Sequence, residues 1–266
     1  MKANGRATPG PGVGVRLVTW NVRSLRDDRA ALVRTLRVLA PDVLCLQEMP
    51  RFIGWRRHAL RLAGATGLRH VVGGAPTCGT AVLVGPRVRV DDADPVPLPY
   101  HPGLHRRIAA RARLRIDTAS LTVISCHLGL DGRERRAHLR PLLAAATPGP
   151  AVIAGDLNEG PSGPVFRRLA EILRDAGANP PGGPGPAGGA TFPARAPGRR
   201  IDAVLCDPVV GVEACGPPEA RTPARGGRLP DAEDLRRASD HLPVLARLWV
   251  PSARPTDPRT EPRRVP

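Results

Sequence analysis

Four short polar segments beside apolar, strand-like runs constrain this chain more than any other feature of its sequence. They are Thr19-Trp20-Asn21, Leu46-Gln47-Glu48, Gly155-Asp156-Leu157-Asn158 and Ser239-Asp240-His241. The first three end an apolar run and the last precedes one. Together they supply a pair of carboxylates able to bind a metal, a histidine, and amide groups able to hold a phosphate. This combination predicts metal-assisted hydrolysis of a phosphoester.

The length and charge of the chain limit its class without fixing its partner. A chain of 266 residues suits one large α/β domain or two small ones, and can bury a core without disulfides or metals. The net charge of +16 favours a polyanionic partner such as nucleic acid. Lys2 is the single lysine, however, and an excess of Arg, Ala, Gly and Pro is also what a GC-rich genome produces. Both explanations of the charge stay open.

Cysteine usage and the lack of a recognisable targeting signal favour a cytoplasmic location, and export by an undetected route is the alternative. The number of cysteines is odd and no CxxC motif occurs, so we expect buried reduced thiols rather than disulfides or a zinc site. Met1–Gly14 has no apolar stretch typical of a signal peptide, and no run is long enough to span a bilayer. We expect a monomer with no obligate protein partner. The cysteines are Cys45, Cys78, Cys126, Cys206 and Cys215.

The pattern of apolar residues predicts a single domain over residues 15–250. Residues 1–14 and 251–266 have the composition of disordered tails, and residues 179–190 form a Gly/Pro-rich loop. Predicted strands cover residues 15–20, 43–46, 80–84, 107–116, 121–126, 151–154, 201–206 and 242–248. Predicted helices cover residues 27–40, 52–64, 133–143 and 164–176. The mixture of hairpins and helices favours two packed mixed β-sheets flanked by helices.

The stretch Arg107–Ile116 alternates arginine with apolar residues. A period of two predicts a strand with one buried face. Its arginines indicate a solvated face, so we expect an outer strand. Arg107 could instead clamp a phosphate, but in so arginine-rich a chain any one arginine carries little weight.

Two acidic residues are the candidate metal ligands. Glu48 ends a buried run, where a carboxylate is unfavourable unless it meets solvent, a cation or a metal. Mg²⁺ uses one or two carboxylates together with phosphate oxygens, and Asp240 is a candidate for the second. The alternative for Glu48 is an ordinary exposed glutamate after a strand.

The remaining candidates suit acid–base chemistry and phosphate binding. Asp156 and Asn158 share one side of an extended segment, so one could activate water while the other donates to phosphate; a plain turn is the alternative. His241 needs a partner for its second nitrogen, and Asp202 could be that partner. His127 ends another strand. Either histidine alone could equally be structural, and Asn21 could simply cap a turn.

Taken together, these segments resemble the endonuclease/exonuclease/phosphatase superfamily, which has the pancreatic deoxyribonuclease-like fold. The resemblance extends over residues 15 to about 248 and implies a four-layer α/β sandwich with its active site at one edge of the sheets. The six matching stretches occur in the order of the family: Thr19–Arg23, Leu46–Glu48, Ser125–Leu128, Gly155–Asn158, Arg200–Val204 and Ser239–Pro243.

The resemblance also implies a role for each candidate. Glu48 would be the main Mg²⁺ ligand, with Asn21 and Asp240 assisting, and Mn²⁺ is an alternative metal. Asp156 would orient or deprotonate the attacking water, and Asn158 would stabilise the pentavalent phosphate. His241, held by Asp202, would contact the scissile phosphate. His127 matches a second active-site histidine, and Arg107 or its neighbour Arg106 matches a phosphate-contacting arginine.

Three hypotheses for the function follow. Arg23 stands where abasic-site endonucleases of the family have an acidic residue, so a general phosphodiesterase acting on nucleic acid is preferred over abasic-site repair. The second hypothesis is the same chemistry on a small phosphorylated molecule or a lipid headgroup. The third is a catalytically inactive polyanion-binding module, which the presence of Glu48, Asp156 and His241 argues against.

Overall fold

The computed structural model describes residues 10–178, 189–218 and 228–252 of the chain. The strands are β1 Gly12–Asn21, β2 Val43–Gln47, β3 Arg69–Gly73, β4 Ala81–Val84, β5 Val88–Pro97, β6 Ile108–Ile116, β7 Ala119–His127, β8 Ala151–Asp156, β9 Arg174–Asp175, β10 Asp202–Cys206, β11 Gly211–Gly216 and β12 Val244–Pro251. The helices are α1 Arg29–Leu39, α2 Trp55–Thr66, α3 Gly132–Ala145, α4 Pro164–Ile172 and α5 Ala232–Ala238.

Two six-stranded mixed sheets pack face to face, as predicted. Their strand orders are β11-β12-β1-β2-β4-β3 and β5-β6-β7-β8-β10-β9. Strand β1 shows why the layers form: Val15 and Leu17 enter the core between the sheets, whereas Val18 and Trp20 enter the core under the helices. Strands buried on both faces carry continuous apolar runs, which is what the sequence displays. This is the four-layer α/β sandwich.

Helix α1 illustrates how local sequence sets the element ends. The Asp28 side chain accepts a hydrogen bond from the Ala31 amide and caps the first turn. Leu32 and Leu36 are buried against the sheet. The helix ends where Ala40 adopts a left-handed conformation, directly before a proline.

Strand pairing brings the polar strand ends to one edge of the sandwich. β1 and β2 are parallel, with Asn21 opposite Gln47, and β7 and β8 are parallel, with His127 opposite Asp156. β10 runs antiparallel to β8 and places Asp202 opposite the same Asp156. β12 runs antiparallel to β1 along its whole length, so the segment preceding β12 lies beside the end of β1.

Several sequence predictions need correction. Strand 107–116 is not an outer strand: β6 lies between β7 and β5, a strand that the sequence analysis missed, along with β3, β9, β11 and α5. The arginines of β6 are not simply solvated either, because Arg111, Arg113 and Arg115 pair with aspartates of β5. The helix predicted over 164–176 ends at Ile172 because Leu173 is extended.

The predicted tails also differ from the structure where it describes them. Strand β1 begins at Gly12, inside the predicted tail 1–14. Strand β12 continues to Pro251, and Ser252 bridges to Ala119. Residues 1–9 and 253–266, and residues 179–188 of the Gly/Pro-rich loop, lie outside the described residues.

All five cysteines are free thiols; Cys45, Cys126 and Cys206 are buried, as expected, whereas Cys78 and Cys215 are partly exposed. Within the described ranges, no helix has the length and apolar character needed to cross a membrane.

Candidate active site

Asn21 joins two carboxylates at the centre of the site. Its Nδ2 donates to Glu48 Oε1 at 3.1 Å and to Asp156 Oδ2 at 3.0 Å. Its Oδ1 accepts from the Arg23 amide at 3.1 Å, which fixes the orientation of the side-chain amide. Glu48 has a positive φ of 53°, a conformation uncommon for residues other than glycine. The end of β2 therefore turns sharply at the residue whose carboxylate meets Asn21.

His241 lies between two aspartates. Its Nδ1 donates to Asp202 Oδ2 at 2.9 Å, and its Nε2 lies 3.8 Å from Asp156 Oδ2. Burial disfavours the charged imidazolium, but the hydrogen bond and charge of Asp202, with the charge of Asp156, outweigh it and raise the pKa of His241 to about 9. The histidine is thus held in one orientation as a cation, with Nε2 facing Asp156.

His127 reaches the same carboxylate from the neighbouring strand. Its Nε2 lies 3.4 Å from Asp156 Oδ2. Burial lowers the pKa of His127 to about 3, because desolvation outweighs the attraction of Asp156. Burial also raises the pKa of Asp156 itself. A neutral and a charged histidine therefore flank one buried carboxylate.

Asn158 is held through both its backbone and its side chain. Its backbone N–H donates to Asp156 Oδ1 at 2.9 Å, and its side-chain Nδ2 donates to the Leu128 carbonyl at 2.9 Å. Its φ is 51°, in the left-handed region that asparagine tolerates better than most residues. This turn keeps Asn158 beside Asp156.

A buried ion pair supports this turn from behind. Arg135 Nε donates to Glu159 Oε2 at 2.8 Å, and Arg135 NH1 donates to the Gly129 and Leu130 carbonyls at 3.0 and 2.7 Å. Glu159 Oε1 accepts from the first turn of α4, at the amides of Val165 (2.6 Å) and its neighbour Phe166 (3.1 Å). One arginine thus ties together the loops that follow β7 and β8.

Asp240 occupies a more open position. Its side chain is 34% exposed, and Arg23 Nε lies 3.4 Å from its Oδ2. The adjacent Ser239 hydroxyl donates to the Asn21 carbonyl at 2.7 Å, which ties the segment before β12 to the end of β1.

Arg107 lies just before β6 beside a cavity of about 220 Å³. Its Nε is buried and has no hydrogen-bond partner among the described residues. Burial lowers the pKa of the guanidinium, against the attraction of Asp156, Glu134 and Glu48. The cavity is lined by Ser24, Arg26, Glu48, Met49, Arg51, Phe52, Cys78, His105, Arg107 and His127.

Two separate sets of residues could hold a metal. Glu48, Asn21 and Asp240 offer oxygen donors, and the partly exposed positions of Glu48 and Asp240 leave room for the waters that Mg²⁺ retains. A second cluster, Asp156, Asp202 and His241, has ligand atoms within 4.8 Å of one another. In that cluster the 2.9 Å bond between His241 and Asp202 already occupies one donor on each side chain. In the first set Asn21 Oδ1 likewise accepts a hydrogen bond, from the Arg23 amide, but Glu48 and Asp240 are the more exposed carboxylates, which suits a hard cation that keeps its waters.

The sequence analysis missed the polar bridge behind the site. Gln47 Nε2 donates to Ser125 Oγ and to Thr19 Oγ1, both at 3.1 Å, and so joins the two sheets within the core. The signal was present, because Gln47 and Ser125 are polar residues inside apolar strands. Three further residues at the cavity were not predicted, because no sequence pattern links them to the strand ends: Arg51, Phe52 and His105.

Comparison with known proteins identifies the family and the fold. A sequence model of the Endonuclease/Exonuclease/phosphatase family matches residues 18–241. The endonuclease/exonuclease/phosphatase of Bacteroides vulgatus has 18% identity and a TM-score of 0.67, over 90% of this chain and 99% of that one. The protein from Beutenbergia cavernae with the same description has 25% identity and a TM-score of 0.63, over 91% and 73%.

A mannosyl-6-phosphatase of Bacteroides thetaiotaomicron shares the fold at 15% identity, with a TM-score of 0.64 over 88% of this chain and 99% of that one. No curated protein matches the chain.

Proposed function

Because the chain belongs to the endonuclease/exonuclease/phosphatase family, we propose that it is a divalent-metal-dependent phosphodiesterase that hydrolyses nucleic acid. Members of the family are phosphoester hydrolases. One observation carries the proposal beyond the family: groups from five strand ends converge around the carboxylate of Asp156, and Asn158 contributes its backbone N–H. They are Asn21, His127, Asn158, Asp202 and His241, with Asp202 acting through His241.

Asp156 is the group that prepares the attacking water. Its Oδ1 is held by the Asn158 amide, and its Oδ2 by Asn21. A fixed carboxylate with a pKa raised by burial accepts a proton from water more readily than an exposed one. Holding the water in line with the phosphorus supplies much of the rate enhancement.

His241, Asn158 and Arg107 serve the phosphate. The positive charge of His241, fixed by Asp202, stabilises negative charge that grows on the phosphate oxygens. Asn158 has a second Nδ2 hydrogen beyond the one it gives to Leu128. The unpartnered Nε of Arg107 offers a further donor beside Glu48 and His127. His127, kept neutral by burial, adds a polar contact without adding charge.

Glu48, with Asn21 and Asp240, would hold the metal. In the described structure the Asn21 amide turns Nδ2 toward the carboxylates of Glu48 and Asp156, where a donor is needed to offset their charge. A bound Mg²⁺ or Mn²⁺ would neutralise charge on the phosphate and on the leaving oxygen. The donor set of carboxylate and amide oxygens is the one that such hard cations prefer.

The choice of nucleic acid rests on charge. The net charge is +16, and within the described residues the arginines on α2 have no aspartate partners like those that β6 has on β5. A phosphodiester polymer presents one negative charge per nucleotide to such a surface.

Cleavage of supercoiled plasmid tests the proposal. We expect the wild-type protein to nick plasmid with Mg²⁺ and to stop when EDTA is added. Asp156→Asn should abolish nicking, because the amide accepts no proton from water. Glu213→Gln, which neutralises an exposed carboxyl on β11, is the matched control and should leave nicking unchanged.

Metal binding is measured separately from activity. Mg²⁺ should raise the melting temperature of the wild-type protein, and this shift should shrink in Glu48→Gln. A folded wild-type protein that cleaves neither plasmid nor RNA would refute the nucleic-acid assignment. In that case small phosphoesters and lipid headgroups become the substrates to assay.

A further inference from the structure

The mouth of the site is surrounded by exposed apolar side chains. They lie in three loops: residues 48–54 between β2 and α2, residues 98–107 between β5 and β6, and residues 128–131 between β7 and α3. These loops hold five of the nine large hydrophobic side chains that the described residues expose, so the clustering is not a general property of the surface. We call them the apolar rim: Phe52, Ile53, Tyr100, Leu104 and Leu130.

The three loops belong to the same opening. Phe52 and His105, from the first two loops, line the cavity that also contains Glu48 and His127. The third loop begins directly after His127. Phe52 is 76% exposed and Ile53 is fully exposed. Such side chains beside a hydrolytic site are available to a substrate that has apolar surface of its own.

Helix α2 continues this surface with unpaired positive charge. In the parts of the chain that the structure describes, no carboxylate pairs with Arg51, just before the helix, or with Arg56, Arg57 and Arg61 on it. Residues 51–70 contain no acidic residue. The arginines of β6 differ, since Arg111, for example, lies 2.9 and 2.7 Å from two aspartates. The charge on α2 is therefore free to bind an external polyanion.

We propose that the apolar rim and α2 together bind single-stranded nucleic acid, and that the enzyme prefers unpaired strands to duplex. This inference rests on the proposed function. Unpaired bases expose their faces, which Phe52 and its neighbours can contact, whereas a duplex hides those faces and presents mainly phosphates. Arg51 lies over the Phe52 ring, with Cζ 5.6 Å from its centre, and so puts a phosphate ligand beside a stacking surface.

The arginines of α2 set the size of its footprint. Arg56 and Arg61 are about 7.5 Å apart along the helix axis, so α2 contacts about three phosphates of a bound strand. The strand passes from the cavity along Arg56, Arg57 and Arg61. An anionic bilayer is the other surface that combines apolar and negative groups, and the experiment includes it as a competitor.

Binding is measured with the full-length Asp156→Asn protein, so that cleavage does not interfere. Fluorescence anisotropy compares a labelled 20-nucleotide strand with its duplex at several salt concentrations. We expect the strand to bind at least ten times more tightly. Phe52→Ala combined with Ile53→Ser should weaken strand binding about tenfold, through lost stacking, and leave duplex binding nearly unchanged.

The arginines are tested through the salt dependence. Removing Arg56, Arg57 and Arg61 together should lower the slope of log K against log salt by about 2, since each phosphate contact on a single strand contributes about 0.7. The matched control removes three exposed arginines on α3 and α4, which likewise lack ion-pair partners within the described ranges, and should keep the slope. The control residues are Arg136, Arg140 and Arg167.

Three results would overturn the inference: equal affinity for strand and duplex, an equal slope change in the control variant, or displacement of the strand by vesicles containing anionic phospholipid. Cleavage by the wild-type protein separates this inference from the proposed function. Equal cleavage of strand and duplex would refute the strand preference and leave the nuclease assignment intact. Cleavage of neither would refute both.

Discussion

Replacing Arg135 by methionine should destabilise the protein and, with it, the turn that carries Asn158. The Arg135 side chain is 14% exposed and the Glu159 side chain 7% exposed, so the pair is largely buried. Methionine keeps much of the apolar stem and removes three hydrogen-bond contacts, to Glu159 and to the Gly129 and Leu130 carbonyls. Its main effect is to leave the Glu159 carboxylate without its counter-charge.

Breaking a buried ion pair by removing one partner costs about 3–5 kcal/mol. Glu159 keeps its bonds to the Val165 and Phe166 amides at the start of α4, where negative charge is favourable, so we expect the lower end, about 3 kcal/mol. For a domain of this size that corresponds to a fall in melting temperature of roughly 6–12 °C.

A double-mutant cycle tests whether Arg135 and Glu159 are energetically coupled. Glu159→Gln keeps the oxygen that caps α4 and removes only the charge. In the wild-type background it should destabilise by about 1–2 kcal/mol, because a charged hydrogen bond is lost. In the Arg135→Met background it should stabilise instead, since no unpaired buried charge remains. Urea unfolding followed by circular dichroism gives all four free energies of unfolding, and additive effects would show that the pair is not coupled.

Three further outcomes are expected. Burial lowers the pKa of His138 to about 4, so the neutral histidine stabilises the folded protein fully above pH 6.5. Between pH 6.5 and pH 4 the free energy of unfolding should fall by up to about 1.4 kcal/mol per pH unit. His138→Gln should flatten this dependence in urea unfolding, and an unchanged dependence on pH would contradict the prediction. Gly155→Ala should destabilise by at least about 2 kcal/mol, because its Cβ would lie 1.9 Å from the Cys126 carbonyl oxygen, whereas Gly64→Ala, with open space around it, should not; equal melting temperatures would refute the steric argument. Burial raises the pKa of the Cys45 thiol, so mass spectrometry should find it unmodified by iodoacetamide until the protein is unfolded.

The sequence predicts the strand ends well because two local signals coincide there. An apolar run that ends in Asp, Asn or Glu marks both a buried strand and a polar terminus, and Asn21, Glu48 and Asp156 all lie where this rule predicts. Which ends meet is set by long-range pairing. The opposition of Asp202 to Asp156, for example, depends on β10 running antiparallel to β8, and no local pattern encodes that choice.

The missed strand β5 shows the limit of periodicity. Residues 88–97 contain three aspartates and two prolines, a composition typical of loops. The strand forms because it lies at a sheet edge, where proline is tolerated, and because Asp92 and Asp94 pair with Arg111 across the ladder. Its stabilisation comes from a partner strand, so the segment carries no sufficient signal alone.

The pairing of the first strand with the last determines when the site can assemble during synthesis of the chain. Gly12 faces Pro251 along the β1–β12 ladder, and Ser239 bonds to the backbone of Asn21. A chain emerging from the ribosome therefore carries Asn21, Glu48 and Asp156 long before it carries His241. Until the last strand is synthesised, β1 lacks one of its two neighbours and the site lacks its charged histidine. The last strand therefore completes both the sheet and the candidate site.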